Sequence, residues 1–162
     1  ANNMAPGLNR PFAAEEWEFA GGKSLFDRAR QEARESRIDG RPDILGSDID
    51  ARSIDLCKKH AKKAGVMVNW KVAPLKELST DKSGGLIVCN PPYGERMMEK
   101  REAEALYREM RHKFDELDNW QVSVITAYRD FERIYGKRAD KRRKLSNGGM
   151  VCTMYQYFKR ND

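Results

Sequence analysis

Short strand-like segments alternate with amphipathic helical segments along most of this chain, and that alternation limits the folds it can adopt. Runs rich in apolar or β-branched residues occupy residues 43–48, 69–72, 86–89 and 121–127. Apolar residues recur at helical spacing in residues 24–37, 51–64 and 102–117. Strands that alternate with helices in this way predict an α/β fold with a mostly parallel sheet.

The last third of the chain carries a different signal. A short helix is expected near residues 130–135, and Ser146-Asn147-Gly148-Gly149 is a strong turn sequence. This turn joins residues 142–145 to residues 150–158, which predicts a terminal antiparallel hairpin. The 162 residues suit one domain of ordinary size. We therefore expect a single α/β domain whose last strand is reversed.

Ligands of parallel α/β sheets bind beyond the carboxyl ends of the strands, so chemistry is expected just after Ser47 and just after Cys89. Residues 86–89 are an unbroken apolar run, as expected for a parallel strand covered on both faces. Asn90-Pro91-Pro92-Tyr93 follows at once. The two prolines remove two backbone donors and fix two φ angles, which predicts a rigid turn.

A rigid turn of this composition suits methyl transfer to an exocyclic amine of a nucleic-acid base. Such an amine is a poor nucleophile, because its lone pair is delocalised into the ring, and the protein must aim it. The Asn90 side-chain oxygen and the Pro91 carbonyl are suitable acceptors for its hydrogens, and Tyr93 offers a face on which a base can stack. Positioning of this kind needs neither a general base nor a metal. The alternative is a plain turn, since proline and asparagine are common turn residues.

Residues 90–96 read N-P-P-Y-G-E-R. This run resembles the signature of the bacterial 23S ribosomal RNA guanine-N2 methyltransferase family, whose members are often labelled N6-adenine-specific DNA methylases. The similarity covers nearly the whole chain, with further resembling segments at residues 5–10, 44–50 and 141–148. It implies a Rossmann-like class I methyltransferase that uses S-adenosylmethionine and acts in the cytoplasm on large-subunit ribosomal RNA.

The resemblance also implies a set of cofactor contacts. Asp48 would accept hydrogen bonds from the ribose hydroxyls, and Ile49 would lie against the adenine. Pro74 and Leu75 would line the same site, although many family members carry an acid at the position of Pro74. Proline cannot bind the adenine amine, so backbone groups or a neighbouring residue would have to do so. Taken alone, Asp48 could equally be a capping or surface carboxylate.

Class I methyltransferases hold the methionine end of the cofactor with a glycine-rich loop after their first, central strand, and no such strand and loop precede Asp48. Gly21-Gly22 has no apolar strand ahead of it. We therefore expect a part of a longer protein that lacks the strand between those ending at Asp48 and Asn90. By itself it would bind S-adenosylmethionine weakly or not at all and would be inactive. The resemblance further implies an N-terminal RNA-binding module of the THUMP type.

The positive charge of the chain favours a polyanionic partner. The net charge is +6 and the pI is about 9.3, and lysine and arginine release counterions when they neutralise phosphates. Candidate RNA contacts in the basic stretch near the hairpin are Lys137, Arg142, Arg143 and Lys144, with a solvated hairpin as the alternative. Arg96 could contact nucleic acid or could pair with a carboxylate and brace the turn.

Several classes of protein are disfavoured. No apolar stretch approaches the roughly 20 residues of a membrane helix. Cys57, Cys89 and Cys152 lack metal-site or disulfide spacing, and we expect His60 and His112 on solvated helix faces, so no metal site is predicted. Two other functions remain open: an N6-adenine DNA methyltransferase using the same chemistry, and a non-catalytic module that binds nucleic acid.

Overall fold

The structure, a computed structural model, describes residues 2–40, 42–94, 97–147 and 149–158. Its elements in chain order are α1 (Gly22–Glu35), β1 (Leu45–Asp48), α2 (Ala51–Ala64), β2 (Asn69–Val72), β3 (Gly85–Cys89), α3 (Met97–Asp115), β4 (Trp120–Thr126), α4 (Phe131–Tyr135), β5 (Lys141–Asn147) and β6 (Met150–Tyr157). The predicted order of strands and helices is therefore confirmed. The chain divides into two compact units, Ala1–Ser47 with Ala51–Lys71, and Asp48–Asp50 with Val72–Asp162.

The first unit contains α1, α2 and most of the pair β1–β2. The Asn69 amide donates to the Ile44 carbonyl over 2.9 Å. Gly46 is required in β1, because a Cβ at this position would lie 2.2 Å from the ring of Trp70 in β2. Arg30 of α1 forms an ion pair with Glu15, which ties this helix to the segment before it.

The second unit is built on a four-stranded sheet of order β3-β4-β6-β5. Strands β3 and β4 are parallel, with Ile87 opposite Val122, whereas β6 is antiparallel to both β4 and β5. Strands β5 and β6 form the predicted terminal hairpin. The α/β class is confirmed, and its strand pairing is mixed, with parallel pairs at β1–β2 and β3–β4 and antiparallel pairs in the last three strands.

Helices α3 and α4 cover one face of this sheet with an aromatic core. Phe131 of α4 is fully buried, and its ring centroid lies 5.1 Å from that of Tyr107 in α3 and 4.9 Å from that of Tyr155 in β6. The other members of this core include Ala103, Met110, Phe114, Val122, Val124, Ile134, Tyr135 and Tyr157. Aromatic rings bury large apolar areas, so this cluster dominates the stability of the second unit.

The opposite face of β3 is open, and the expectation that this strand is covered on both faces is wrong for the described structure. Leu86 and Val88 are 60% and 59% exposed, whereas Ile87 and Cys89 pack against the aromatic core. Successive side chains of a strand alternate between faces, and α3 and α4 cover only the face of Ile87 and Cys89. A strand with an apolar sequence is thus covered on one side only.

Helix α3 begins at Met97, five residues before the expected start at residue 102. The residues in between are strong helix formers, but their few apolar side chains produce no helical periodicity in the sequence. Within the described residues, none of the helices is both long enough and apolar enough to cross a membrane.

We predict that Phe131→Ala lowers the free energy of unfolding by about 3–5 kcal/mol, because it leaves a cavity at the centre of the aromatic core. Leu86→Ala is the matched control, with an expected change within about 0.5 kcal/mol, because its side chain is largely solvated. Urea unfolding followed by circular dichroism measures both. Equal losses for the two variants would contradict the assignment of the core to one face of the sheet.

Candidate active site

The turn after β3 places its polar groups at the carboxyl edge of the sheet. Asn90 is exposed, Pro91 is buried and Tyr93 is half-buried. The Tyr93 hydroxyl donates a hydrogen bond to Oδ1 of Asn90 over 2.6 Å. The structure therefore brings together the two side chains for which the sequence predicts amine and base recognition.

The hydroxyl of Tyr93 is also held from the side of the hairpin. The Cys152 thiol of β6 donates a hydrogen bond to this hydroxyl, and its Sγ lies 3.8 Å from the Tyr93 oxygen. Burial, followed by the contact with Cys152, raises the pKa of Tyr93. The hydroxyl is thus protonated at neutral pH and remains a donor to Asn90. The Asn90 oxygen has a second lone pair and can therefore accept one more hydrogen bond.

Helix α3 contacts the turn at Pro92 and Gly94. The Tyr107 hydroxyl of α3 donates to the Pro92 carbonyl over 2.6 Å. Gly94 has a φ of +65°, and a Cβ there would lie 2.6 Å from the Cα of Lys100. Only glycine permits both this left-handed conformation and such a close approach to the helix backbone.

A cavity of about 350 Å³ opens beside the turn. Its walls include Pro92 and Tyr93 from the turn and Glu99, Glu102 and Leu106 from α3. Cavities of this size fall within the range of small-molecule sites. Tyr93 thus lines an open cleft, and its hydroxyl is bonded to the exposed Asn90 side chain.

The predicted cofactor residues lie at the end of β1 and just after β1 and β2, in the part of each segment that belongs to the second unit. Asp48 ends β1, is exposed, and accepts the Asp50 amide at Oδ1 over 2.8 Å. Ile49 beside it is 75% exposed. The Ala73 amide donates a hydrogen bond to the Asp48 carbonyl over 3.0 Å. Pro74 and Leu75 therefore follow a residue that is bonded to Asp48. Leu75 in turn packs against the aromatic core.

Cys89, which immediately precedes the turn, is unsuited to nucleophilic chemistry. Burial raises the pKa of its thiol to about 12, so the reactive thiolate is absent at neutral pH. Cys57, Cys89 and Cys152 are free cysteines. Within the described part of the chain, no group of three or more His, Cys, Asp or Glu residues could hold a metal ion.

The basic residues in and near the hairpin differ in their surroundings. Arg142 is bound by Glu132, with its Nη2 2.7 Å from the carboxylate Oε2 and its Nε 3.0 Å from Oε1. Arg143 and Lys144 are exposed, and their side chains leave opposite faces of β5 because they are consecutive in a strand. Lys137 lies with its Nζ 5.8 Å from the Tyr157 ring centroid. Arg96 lies outside the described residues.

A family model for the RMKL-like methyltransferase domain, UPF0020, matches residues 1–156 of the chain. The chain belongs to this family. The family resemblance predicted from residues 90–96 is therefore confirmed.

Two curated relatives extend this result. The chain is 42% identical over 161 residues to "Putative RNA methyltransferase YpsC" of Bacillus subtilis, covering 98% of this chain and 42% of that protein. It is 31% identical over 158 residues to ribosomal RNA large subunit methyltransferase K/L of Legionella pneumophila strain Corby, covering 96% of this chain and 22% of that protein. The chain thus spans less than half the length of both relatives.

A solved structure agrees with the fold. The crystal structure of "SMU.472, a putative methyltransferase complexed with SAH" superposes with a TM-score of 0.89 at 38% sequence identity. The superposition covers 99% of this chain and 43% of that one. The class I methyltransferase fold predicted from the sequence is confirmed.

Sequence reasoning missed the residues that hold the turn from α3 and β6. The helical spacing of apolar residues in 102–117 does not single out Tyr107, and the spacing of the cysteines predicts no contact for Cys152. One signal for Tyr107 does exist, because it directly follows the apolar Leu106 and a buried tyrosine hydroxyl needs a hydrogen-bond partner. The identity of that partner depends on tertiary packing.

We predict that Gly94→Ala destabilises the protein more than Gly136→Ala. Both glycines have positive φ angles, which cost an alanine about 1–2 kcal/mol, but a Cβ at Gly136 meets nothing within 4 Å. At Gly94 the new methyl group meets the α3 backbone, and overpacking of this kind adds about 1–3 kcal/mol. Thermal and urea unfolding measure the difference. Equal destabilisation would show that Gly94 is needed for its backbone angle alone.

Proposed function

We propose that this chain supplies the methyl-acceptor site of an S-adenosylmethionine-dependent RNA methyltransferase. Its target is guanine N2 in large-subunit ribosomal RNA, methylated in the cytoplasm. The observation that carries the proposal is the Asn90-Pro91-Pro92-Tyr93 turn, which ends a parallel strand beside an open cavity in a chain of the methyltransferase family.

Catalysis in this proposal rests on positioning. The Asn90 oxygen and the Pro91 carbonyl accept the two hydrogens of the amine, which turns the nitrogen lone pair out of conjugation with the ring. Tyr93 stacks on the base and holds it in the cavity. The Asn90 oxygen has two lone pairs, so it can accept a hydrogen of the amine while it keeps the hydrogen bond from the Tyr93 hydroxyl. Alignment of reacting atoms can supply about 7 kcal/mol or more of a barrier.

The residues near Asp48 fit the nucleoside part of S-adenosylmethionine. One Asp48 oxygen is engaged by the Asp50 amide, and a carboxylate has further lone pairs for ribose hydroxyls. The exposed Ile49 side chain offers an apolar surface for adenine, with Pro74 and Leu75 adjoining. When bound, this cofactor supplies an electrophilic methyl group. The SAH in the SMU.472 complex supports the assignment, because SAH is the demethylated form of S-adenosylmethionine.

The names of the relatives support RNA as the substrate, since they read "Putative RNA methyltransferase YpsC" and "Ribosomal RNA large subunit methyltransferase K/L". Guanine N2 and adenine N6 are both exocyclic amines, and the turn would present them in the same way. The preference for guanine therefore rests on the family resemblance and requires a direct test.

We further propose that β3 pairs with a first strand carrying a glycine-rich cofactor loop, supplied by another part of a longer protein. Support comes from the open position of β3, which ends the four-stranded sheet with Leu86 and Val88 exposed. An apolar edge strand of this kind is prone to pair with another strand. An N-terminal THUMP-type module, implied by the resemblance, would then bind the RNA.

We predict that Asn90→Ala in the full-length protein lowers kcat for methyl transfer about 100-fold or more, the effect of removing one group that stabilises a transition state. Binding of S-adenosylmethionine should be unchanged, since Asn90 contacts only the base in this proposal. Asn69→Ala is the matched control, because Asn69 is exposed at the amino end of β2. Radiolabelled methyl transfer to ribosomal RNA and to DNA, in parallel, is the assay.

The outcomes separate the alternatives. N2-methylguanine in ribosomal RNA supports the proposal, whereas N6-methyladenine in DNA would replace its target. Failure of the wild-type full-length protein to methylate either nucleic acid, with binding intact, would identify a non-catalytic nucleic-acid-binding module.

We also predict that the double substitution of Arg143 and Lys144 by Gln weakens RNA binding and reduces the slope of log K against log salt by about 1.5, because each lost phosphate contact removes about 0.7–0.9. Arg142→Gln should instead destabilise the hairpin and leave the slope nearly unchanged, since Arg142 is paired with Glu132. Filter binding over a salt series measures the slopes. An unchanged slope in the double variant would make these residues part of a solvated hairpin.

A further inference from the structure

The two prolines of the turn cannot define its shape by themselves. A proline ring fixes φ, but it leaves ψ free to choose between extended and helical values. The ψ angle of Pro92 decides where the Pro92 carbonyl points and in which direction the chain enters Tyr93. A further contact must therefore select one orientation of this peptide.

Tyr107 makes that contact. Its hydroxyl lies 2.6 Å from the Pro92 carbonyl oxygen, a short and well-formed hydrogen bond. A second polar contact places the same hydroxyl 3.4 Å from Oγ1 of Thr126, the last residue of β4. The Thr126 oxygen also accepts the Tyr128 amide over 3.0 Å. The Pro92 peptide is thus connected to the end of the neighbouring strand through one phenol.

The ring of Tyr107 is held firmly by its neighbours. It has no exposed surface, and its centroid lies 5.1 Å from Phe131 and 5.5 Å from Tyr128, both edge to face. Burial raises the pKa of Tyr107, so the hydroxyl stays protonated and can always donate. Because the ring is fixed by the aromatic core, its hydroxyl holds the Pro92 carbonyl at a fixed place relative to that core.

We propose that Tyr107 is a positioning residue for methyl transfer: its hydroxyl fixes the peptide between Pro92 and Tyr93 and, through it, the ring of Tyr93 and the Asn90 oxygen to which Tyr93 is bonded. Tyr107 itself touches neither base nor cofactor. This inference rests on the proposed function of the turn and adds the element that holds it in a productive shape.

A purely structural role would give a different result. A buried tyrosine commonly finds some partner for its hydroxyl, and loss of that bond then lowers stability alone. A positioning role predicts a loss of turnover in protein that is still folded. The two are separated by comparing kcat with substrate and cofactor binding, well below the melting temperature of every variant.

The test compares Tyr107→Phe with Tyr157→Phe in the full-length protein. Tyr157 is a matched control, because it is also buried in the aromatic core and its hydroxyl also donates to a backbone carbonyl, that of Lys137, over 3.2 Å. Both changes remove one buried hydroxyl and keep the ring. For Tyr107→Phe we expect kcat to fall about 10- to 100-fold, as for a small misplacement of reacting groups. Affinity for S-adenosylmethionine should stay the same, and Tyr157→Phe should keep wild-type turnover.

Equal turnover of the two variants, with the wild type active, would overturn the inference and leave the proposed function intact. A parallel fall in cofactor affinity and turnover for Tyr107→Phe would also overturn it, because the effect would then be a general disturbance of the fold. Absence of methyl transfer by the wild-type protein would overturn the proposed function and this inference together.

Discussion

The packing of α3 against the aromatic residues of β4, α4 and β6 is the interaction on which the second unit depends. Phe131 lies at its centre, and Tyr107 joins it from α3. Because Tyr107 also bonds the Pro92 carbonyl, and Gly94 lies against the α3 backbone, the same packing that stabilises the core also shapes the turn. Displacement of α3 would therefore move the Asn90 and Tyr93 groups even if the turn sequence were unchanged.

The sheet of the second unit is asymmetric, and the asymmetry bears on how the proposed enzyme is assembled. One face holds the aromatic core, whereas Leu86 and Val88 on the other face of β3 are exposed. In the proposed function β3 gains a strand at its open edge. In that proposal the acceptor groups Asn90 and Tyr93 belong to the second unit, and the loop of the added strand holds the methionine end of the cofactor.

The directions of the basic side chains are set by the geometry of β5 and cannot be read from how closely they follow one another in the sequence. The basic stretch before the final turn looks continuous in sequence, yet β5 sends its consecutive side chains to opposite faces. Glu132 of α4 neutralises Arg142, which leaves Arg143, Lys144 and Lys137 as separate charges. A weak, distributed attraction to phosphates fits this arrangement better than a single deep phosphate site.

The order of strands and helices, the terminal hairpin and the turn after β3 followed from the sequence alone. The spacing of apolar residues and the conformational preferences of glycine and proline act over a few neighbouring residues. The structures that they favour can therefore be predicted without knowledge of the fold. The open face of β3, the pairing of Arg142 with Glu132 and the support of Pro92 by Tyr107 required the tertiary structure. Each joins residues on different elements, and no local pattern specifies which distant partner a buried hydroxyl, a charge or an apolar face will meet.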